Sequence, residues 1–367
     1  MSTSYDPSIF HPDTPYTVGV ELEVRLVDRQ SMKPANRSPY LFERIPEALA
    51  PHVHKELLQS MIEIVTPVTP DAHTAAEFMM DALHTLRTIG EGDGIALAAL
   101  ATHPFERKED NQRFPDPRYD ALAEELQIVL QNFLISGLHI HIALPDETAA
   151  IRAYNASIRY LPLFLALSAN SPFTLGEDTG LQSYRSKIFE RLPRAGIPEY
   201  FATYREYCTL IDTLMDNGAI ESIKDVWWDV RIHQKFGTIE LRVSDAFYDR
   251  ERLERIVLFY QALVRYAADH AEPREYYQLT KQNKWNAIRH GLDGRFMDGE
   301  RNGTIREKII EMTDRFETKG IFAELGAPEG AEAIRELTEQ ETIAQKLRRI
   351  YNETGDFGAV IREEIIK

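Results

Sequence analysis

A chain of 367 residues can bury one large core or two modest ones, so length leaves the domain count open. Acidic side chains outnumber basic ones 58 to 42, and the resulting net charge of −16 disfavours nucleic acid and anionic membrane as partners, since no basic patch stands out locally. Cys208 is the single cysteine, which excludes an intramolecular disulfide and a cysteine-rich zinc site. No apolar run approaches a membrane span and the opening MSTSYDPSIFHPDTPY lacks a signal-peptide core, so the expectation is a cytoplasmic protein.

The first strand pattern covers residues 17–28. In GVELEVRLVD (19–28), Val20, Leu22, Val24 and Leu26 fall on one face and Glu21, Glu23 and Arg25 on the other. Carboxylates about 7 Å apart along a strand can share cations, although charges on a half-exposed strand explain this segment alone more simply. In QSMIEIVTPV (59–68), Glu63 interrupts an otherwise apolar strand over 61–66, so it must face water, a cation or a metal. Pro70 and Asp71 open a helix predicted over 71–90. Residues 105–118 are polar and proline-bearing, hence a loop, and a helix follows over 119–133.

ISGLHIHIALPD (135–146) predicts a strand over 136–144, with His139 and His141 on one face and Leu138, Ile140 and Ile142 on the other. Two imidazoles at that spacing can ligate a metal, and equally they can fill a core or a surface. Helices are predicted over 148–169, 199–216 and 250–270. Between the last two, FGTIELRVSDAF predicts a strand over 237–244 with Glu240 and Arg242 opposite Ile239, Leu241 and Val243, a pattern that a cross-strand ion pair also explains. From about residue 300 the chain reads helical, charged and short-looped. Strands separated by helices make the fold α+β or α/β, and four legible strands do not decide how they pair.

Taken together, Glu21, Glu23, Glu63, His139 and Glu240 lie on strand faces opposite apolar sets. With the apolar sets under helices, the polar faces form one side of a sheet. Five metal-competent groups there would repel one another unless cations lay among them. A mostly oxygen donor set favours magnesium or manganese over zinc, and magnesium commonly completes its shell with phosphate and water, which points to a nucleotide.

The strings GVELEVRLVD, QSMIEIVTPV, ISGLHIHIALPD, LSANSPF (167–173), TGLQSYR (179–185), VWWDVRIHQKFGTIELRVSDAF (226–247) and KQNKWNAIRHGLDG (281–294) occur in an order that resembles the type-2 glutamate–cysteine ligases, also called carboxylate–amine ligases. The match runs from about residue 16 to 300 and continues weakly through DFGAVIREE (356–364). The resemblance implies a glutamine-synthetase-like α+β catalytic fold, a curved, mainly antiparallel sheet with helices on its convex face. It implies one catalytic domain over 1–367, with the metal and ATP sheet within about 16–300 and a helical C-terminal part. It implies metal binding by Glu21, Glu23, Glu63, His139 and Glu240, and catalytic parts for Glu63, Glu240 and Arg242. Arg242 is then the phosphate-neutralising arginine, with Arg231 beside it in nucleotide binding, and Arg185 and Arg231 are candidates for the substrate carboxylate. ATP and magnesium, or manganese, are the implied cofactors. Glutamate as donor and cysteine as acceptor are the implied substrates, and self-association into a homo-oligomer is left open. Lys281 and Lys284 depart from the family's usual arginines, and Thr174 stands where an aromatic is common; lysine cannot form arginine's bidentate fork, so the acceptor pocket is expected to differ.

Two other classes compete: a metal-dependent hydrolase built on His139 and His141, and a non-catalytic nucleotide-binding paralogue. Among the remaining residues, Trp227 and Trp228 are expected to close core and pocket wall, Ser168, Asn170 and Ser171 to cap or turn the chain, Gly137 and Gly237 to permit close backbone approach, and Cys208 to be structural.

Overall fold

The alternation at the start of the chain is realised as β1 (Val18–Asp28), with Val18, Val20, Leu22, Val24 and Leu26 buried on one face. In this computed structural model, which describes residues 4–299 and 302–367, six further strands join it. They are β2 (Val53–Lys55), β3 (Met61–Val65), β4 (Ile95–Ala98), β5 (Gly137–Ala143), β6 (Val230–His233) and β7 (Thr238–Asp245). The order is β6–β7–β5–β1–β3–β2, with β4 on the second half of β1, and every pairing is antiparallel. The pairing question that the sequence left open is thereby decided.

Helices α1 (Ala72–Glu91), α2 (Pro117–Leu126), α3 (Glu147–Ser168), α4 (Tyr204–Asp216) and α5 (Arg250–Asp269) fall between or after these strands. Each has an N-cap side chain on a free backbone N–H, for example Asp71 for α1 and Asp146 for α3. α3 packs against α5 and lies across β7, while α1 packs on α5 and β1, so these three helices cover the apolar face of the sheet. The expected helix over 119–133 is broken: α2 ends at Gln127, whose φ of 47° cannot continue a helix, and a single turn follows over Ile128–Gln131. The helix expected from residue 199 begins only at Tyr204, where the Thr203 side chain caps it.

α6 (Tyr277–His290) was not expected from the sequence, whereas the part after residue 300 is helical as expected, with α7 (Ile305–Thr318), α8 (Gly330–Glu339), α9 (Ile343–Thr354) and α10 (Phe357–Glu363). One apolar core runs from Phe10 to Ile366, so these helices share it with the sheet. The last residues return to β4, where Ile366 N–H donates to Leu97 O at 2.9 Å. Among the described residues, no helix is long and apolar enough to cross a membrane.

Candidate active site

The register places the polar side chains in one continuous row. Glu23 faces Glu63 across β1 and β3, and Glu21 faces His139 across β1 and β5. His141 faces Glu240 across β5 and β7, and Glu240 faces Arg231 across β7 and β6. All five expected metal-binding side chains are therefore on one face. Two groups of three have ligand atoms within 4.8 Å of one another: Glu21, His139 and Glu240, and Glu23, Glu63 and His139.

A bulge in β7 completes the arrangement. One extra residue between Leu241 and Ser244 restarts the register, so that Asp245 pairs with Gly137, in step with His139 and His141. Arg242 sits in the bulge, its N–H donating to Asp229 O at 2.8 Å. Beneath it, buried Arg185 donates from Nη2 to Arg242 O and from Nη1 to Val243 O, both at 3.3 Å. A Cβ on Gly137 would lie 2.2 Å from Arg185 Nη2, so glycine is what lets the guanidinium pass. The close approach expected of Gly137 is thus observed, and at Gly237 a Cβ would meet Ile9 O at 2.0 Å. Asn170 and Ser171, expected with Ser168 to cap or turn the chain, also reach beyond the helix end. Ser171 Oγ and Asn170 N–H donate to Asp245 at 2.6 and 2.8 Å, tying the end of β7 to the chain after α3, while Ser168 Oγ donates within α3 to Phe164 O. Trp228 is buried in the core, Trp227 lines the cleft and Cys208 is buried in α4.

Two electrostatic regimes meet on this face. Glu240 is fully buried, and burial alone would raise its pKa, but Arg231 and Arg242 hold its carboxyl well below the usual range. Arg231 grips it from Nε and Nη2 and anchors Nη1 on the carbonyls of Ile223 and Val226, both at 3.1 Å. Arg242 reaches Glu240 through Nη1, while its buried Nε has no hydrogen-bond partner among the described residues. Glu21 lies between the histidines, 3.0 Å from His139 Nδ1 and 3.1 Å from His141 Nε2, and their attraction outweighs burial to lower its pKa. Toward β3 and β2 the sign reverses. Burial, followed by repulsion from Glu21, Glu56 and Glu23, pushes Glu63 well up, and burial with Glu23 pushes Glu56 to about 8. These carboxylates have too little positive charge around them, the condition a divalent cation would relieve.

The row opens into a cleft of about 490 Å³ lined by Glu21, Glu23, Glu56, Glu63, His139, Arg185, Arg231, His233 and Arg242. Glu56 and His233 were not singled out from the sequence. His233 repeats with Arg231 the i, i+2 spacing of His139 and His141, a signal that was available; Glu56 follows a three-residue strand too short to show alternation. Lys281 is exposed. Lys284 is buried, 2.7 Å from Asp229 and 2.9 Å from Glu190, so its charge is consumed by two carboxylates.

An antiparallel sheet carrying a carboxylate–histidine row on one side and helices on the other defines a glutamine-synthetase-like α+β fold. The family model for glutamate–cysteine ligase family 2 matches residues 17–363, and the chain belongs to that family. A relative from Thermobifida fusca named "Putative glutamate--cysteine ligase 2" is 35% identical over 357 residues, covering 94% of this chain and 89% of its own length. Among solved structures, a glutamate–cysteine ligase from Francisella tularensis in complex with AMP superposes with a TM-score of 0.68 at 12% identity, over 96% of this chain and 89% of that one. A bifunctional glutathione synthetase from Pasteurella multocida gives 0.69 at 15% identity, with 95% of this chain matching 52% of that longer one. At such identities the likeness is one of fold.

Proposed function

We propose that the chain is an ATP-dependent ligase that joins a carboxylate, with glutamate as the donor, to an amine through an acyl phosphate. The observation that carries this is the single register-continuous row in which the crowded carboxylates Glu21, Glu23 and Glu63 adjoin the Arg231–Glu240–Arg242 cluster, with those three carboxylates, Arg231 and Arg242 lining one cleft. Glu21, His139 and Glu240, and Glu23, Glu63 and His139, would hold magnesium or manganese, and the excess of buried carboxylate fits such ions. When bound, they supply charge neutralisation and Lewis-acid polarisation at the transferring phosphoryl group. Arg231 keeps Glu240 ionised and fixed in direction. Arg242, held by the bulge with Nε free, offsets charge on the equatorial oxygens as the substrate carboxylate attacks the γ-phosphorus in line. Arg185, with Nε unpartnered at the cleft, holds the backbone of that bulge and faces the donor carboxylate. The amine then displaces phosphate, closing the amide. A hydrolase built on His139 and His141 fits less well, because each of the two candidate metal groups contains one histidine among carboxylates. The whole chain acts as one catalytic domain in this reading, as its shared core suggests.

The test is magnesium-dependent ADP release over amino acids offered singly and in pairs. ADP appearing only with glutamate plus an amine supports the reading. ADP with other carboxylates but never glutamate removes the donor assignment, and no ADP from any pair removes the ligase.

A further inference from the structure

The two ends of the cleft differ in their lining. At the β6–β7 end it is lined by Arg231, Arg242 and Lys235, with Phe236 stacked on His233 at 4.3 Å between ring centroids, a cationic and aromatic setting that suits a nucleotide. At the β2–β3 end stand Glu63, one of the candidate metal-binding carboxylates, and Glu56, which belongs to neither metal group; Lys55 and Arg118 also line the cleft. Beside Glu56 the wall carries Leu57, Leu58, Leu122, Leu126, Leu130 and Phe133, with Tyr119 among them. Leu126 and Leu130 form a small cluster separate from the main core, and Leu57, Leu122 and Phe133 around them are only partly buried, which leaves apolar surface at the cleft. A cleft meant only for ammonia or the short thiol side chain of cysteine would not need six apolar side chains beside Glu56.

The geometry points to an acceptor that is a primary amine with an apolar body, its ammonium drawn to Glu56 and its alkyl or aryl part lying on the leucine wall. This rests on the ligase reading and narrows its acceptor. In the step it enters, the ammonium first gives up one proton to solvent and its nitrogen attacks the acyl carbon. The C–N bond forms as the C–O bond to phosphate breaks, orthophosphate leaves with that bond's electron pair, and the nitrogen releases its second proton to solvent.

The experiment measures ADP release and amide product by mass with Mg-ATP and pooled amino-acid carboxylates, over methylamine, cysteine, butylamine and benzylamine. Each buried methylene is worth roughly threefold to fourfold in kcat/KM, so butylamine should exceed methylamine by at least tenfold, and benzylamine should also exceed cysteine. L122S, at a partly buried wall position, should shrink the benzylamine-to-methylamine ratio, a quantity insensitive to the fraction of folded enzyme. Preference for cysteine or methylamine would overturn the inference and leave the ligase standing. A change in KM for ATP with the amine ratio unmoved would show that the wall holds the base instead, and would also overturn it. No ADP from any amine would remove the ligase reading and this inference with it.

Discussion

Replacing Glu63 by Gln should make the metal-free protein more stable while abolishing its activity. Glu63 and Glu23 are directly opposed on β3 and β1, which sets their Cβ atoms about 5 Å apart. Two negative charges at that distance in an effective dielectric of about 20 repel by about 3 kcal/mol. Proton linkage gives the same sign. The folded state raises the Glu63 carboxyl well above its ordinary 4.5, through burial and then Glu21, Glu56 and Glu23. Above that pH the unfolded chain releases the proton and the native state keeps it, so wild-type stability falls as pH rises, by up to about 1.4 kcal/mol per unit. The glutamine variant lacks this loss. Its advantage should be absent below the ordinary carboxylate range and reach about 3 kcal/mol near pH 7, roughly 4 °C in Tm for a chain of this size. The assay is thermal melting in EDTA across that range, repeated with magnesium, beside magnesium-dependent ADP release. Magnesium should raise the Tm of wild type more than that of the variant, since only wild type keeps the full donor set. A variant that melts at or below wild type in EDTA near pH 7, or that turns over normally, would refute the argument.

Glu240→Gln should do the opposite to stability: it leaves Arg231 and Arg242 facing an amide in a fully buried position, and should cost about 3 kcal/mol in melting or denaturant titration as well as ADP release. Gly137→Ala should cost about 1–3 kcal/mol and lower kcat, because the new methyl displaces Arg185 from beneath the bulge that carries Arg242; unchanged kcat in a folded variant would contradict this. His103 is buried and neutral, with Nε2–H donating to Met32 O at 2.8 Å and Nδ1 accepting from Phe105 N–H at 3.3 Å, and burial pushes its pKa down to about 3. The unfolded chain binds a proton there as pH falls below about 6.5 while the native state does not, so wild type should lose stability on acidification. His103→Leu should lose less between pH 6 and about 4, as read by Tm against pH.

How much of this was legible follows from what alternation can encode. β1, β3, β5 and β7 each have one polar and one apolar face, and a period of two assigns Glu21, Glu23, Glu63, His139, His141, Glu240 and Arg242 to one side whatever the neighbours are. β4, IALA, is buried throughout and has no alternation to read; β2 and β6 are three and four residues long, too short to show a period. The order of the strands, their antiparallel sense and the opposition of Glu23 to Glu63 arise from hydrogen bonds between segments far apart in the chain, so only the folded sheet decides them. So does the bulge at Arg242: a single extra residue shows only against its partner strand, and it brings Asp245 onto the side of Glu240 although simple alternation would send it to the other. Arg231 illustrates the same division. Its residue type and position beside an apolar alternation are local facts, but its grip on Glu240 requires two strands in register, and Glu56 and the leucine wall enter the site through loops and a broken helix whose placement no local pattern specifies.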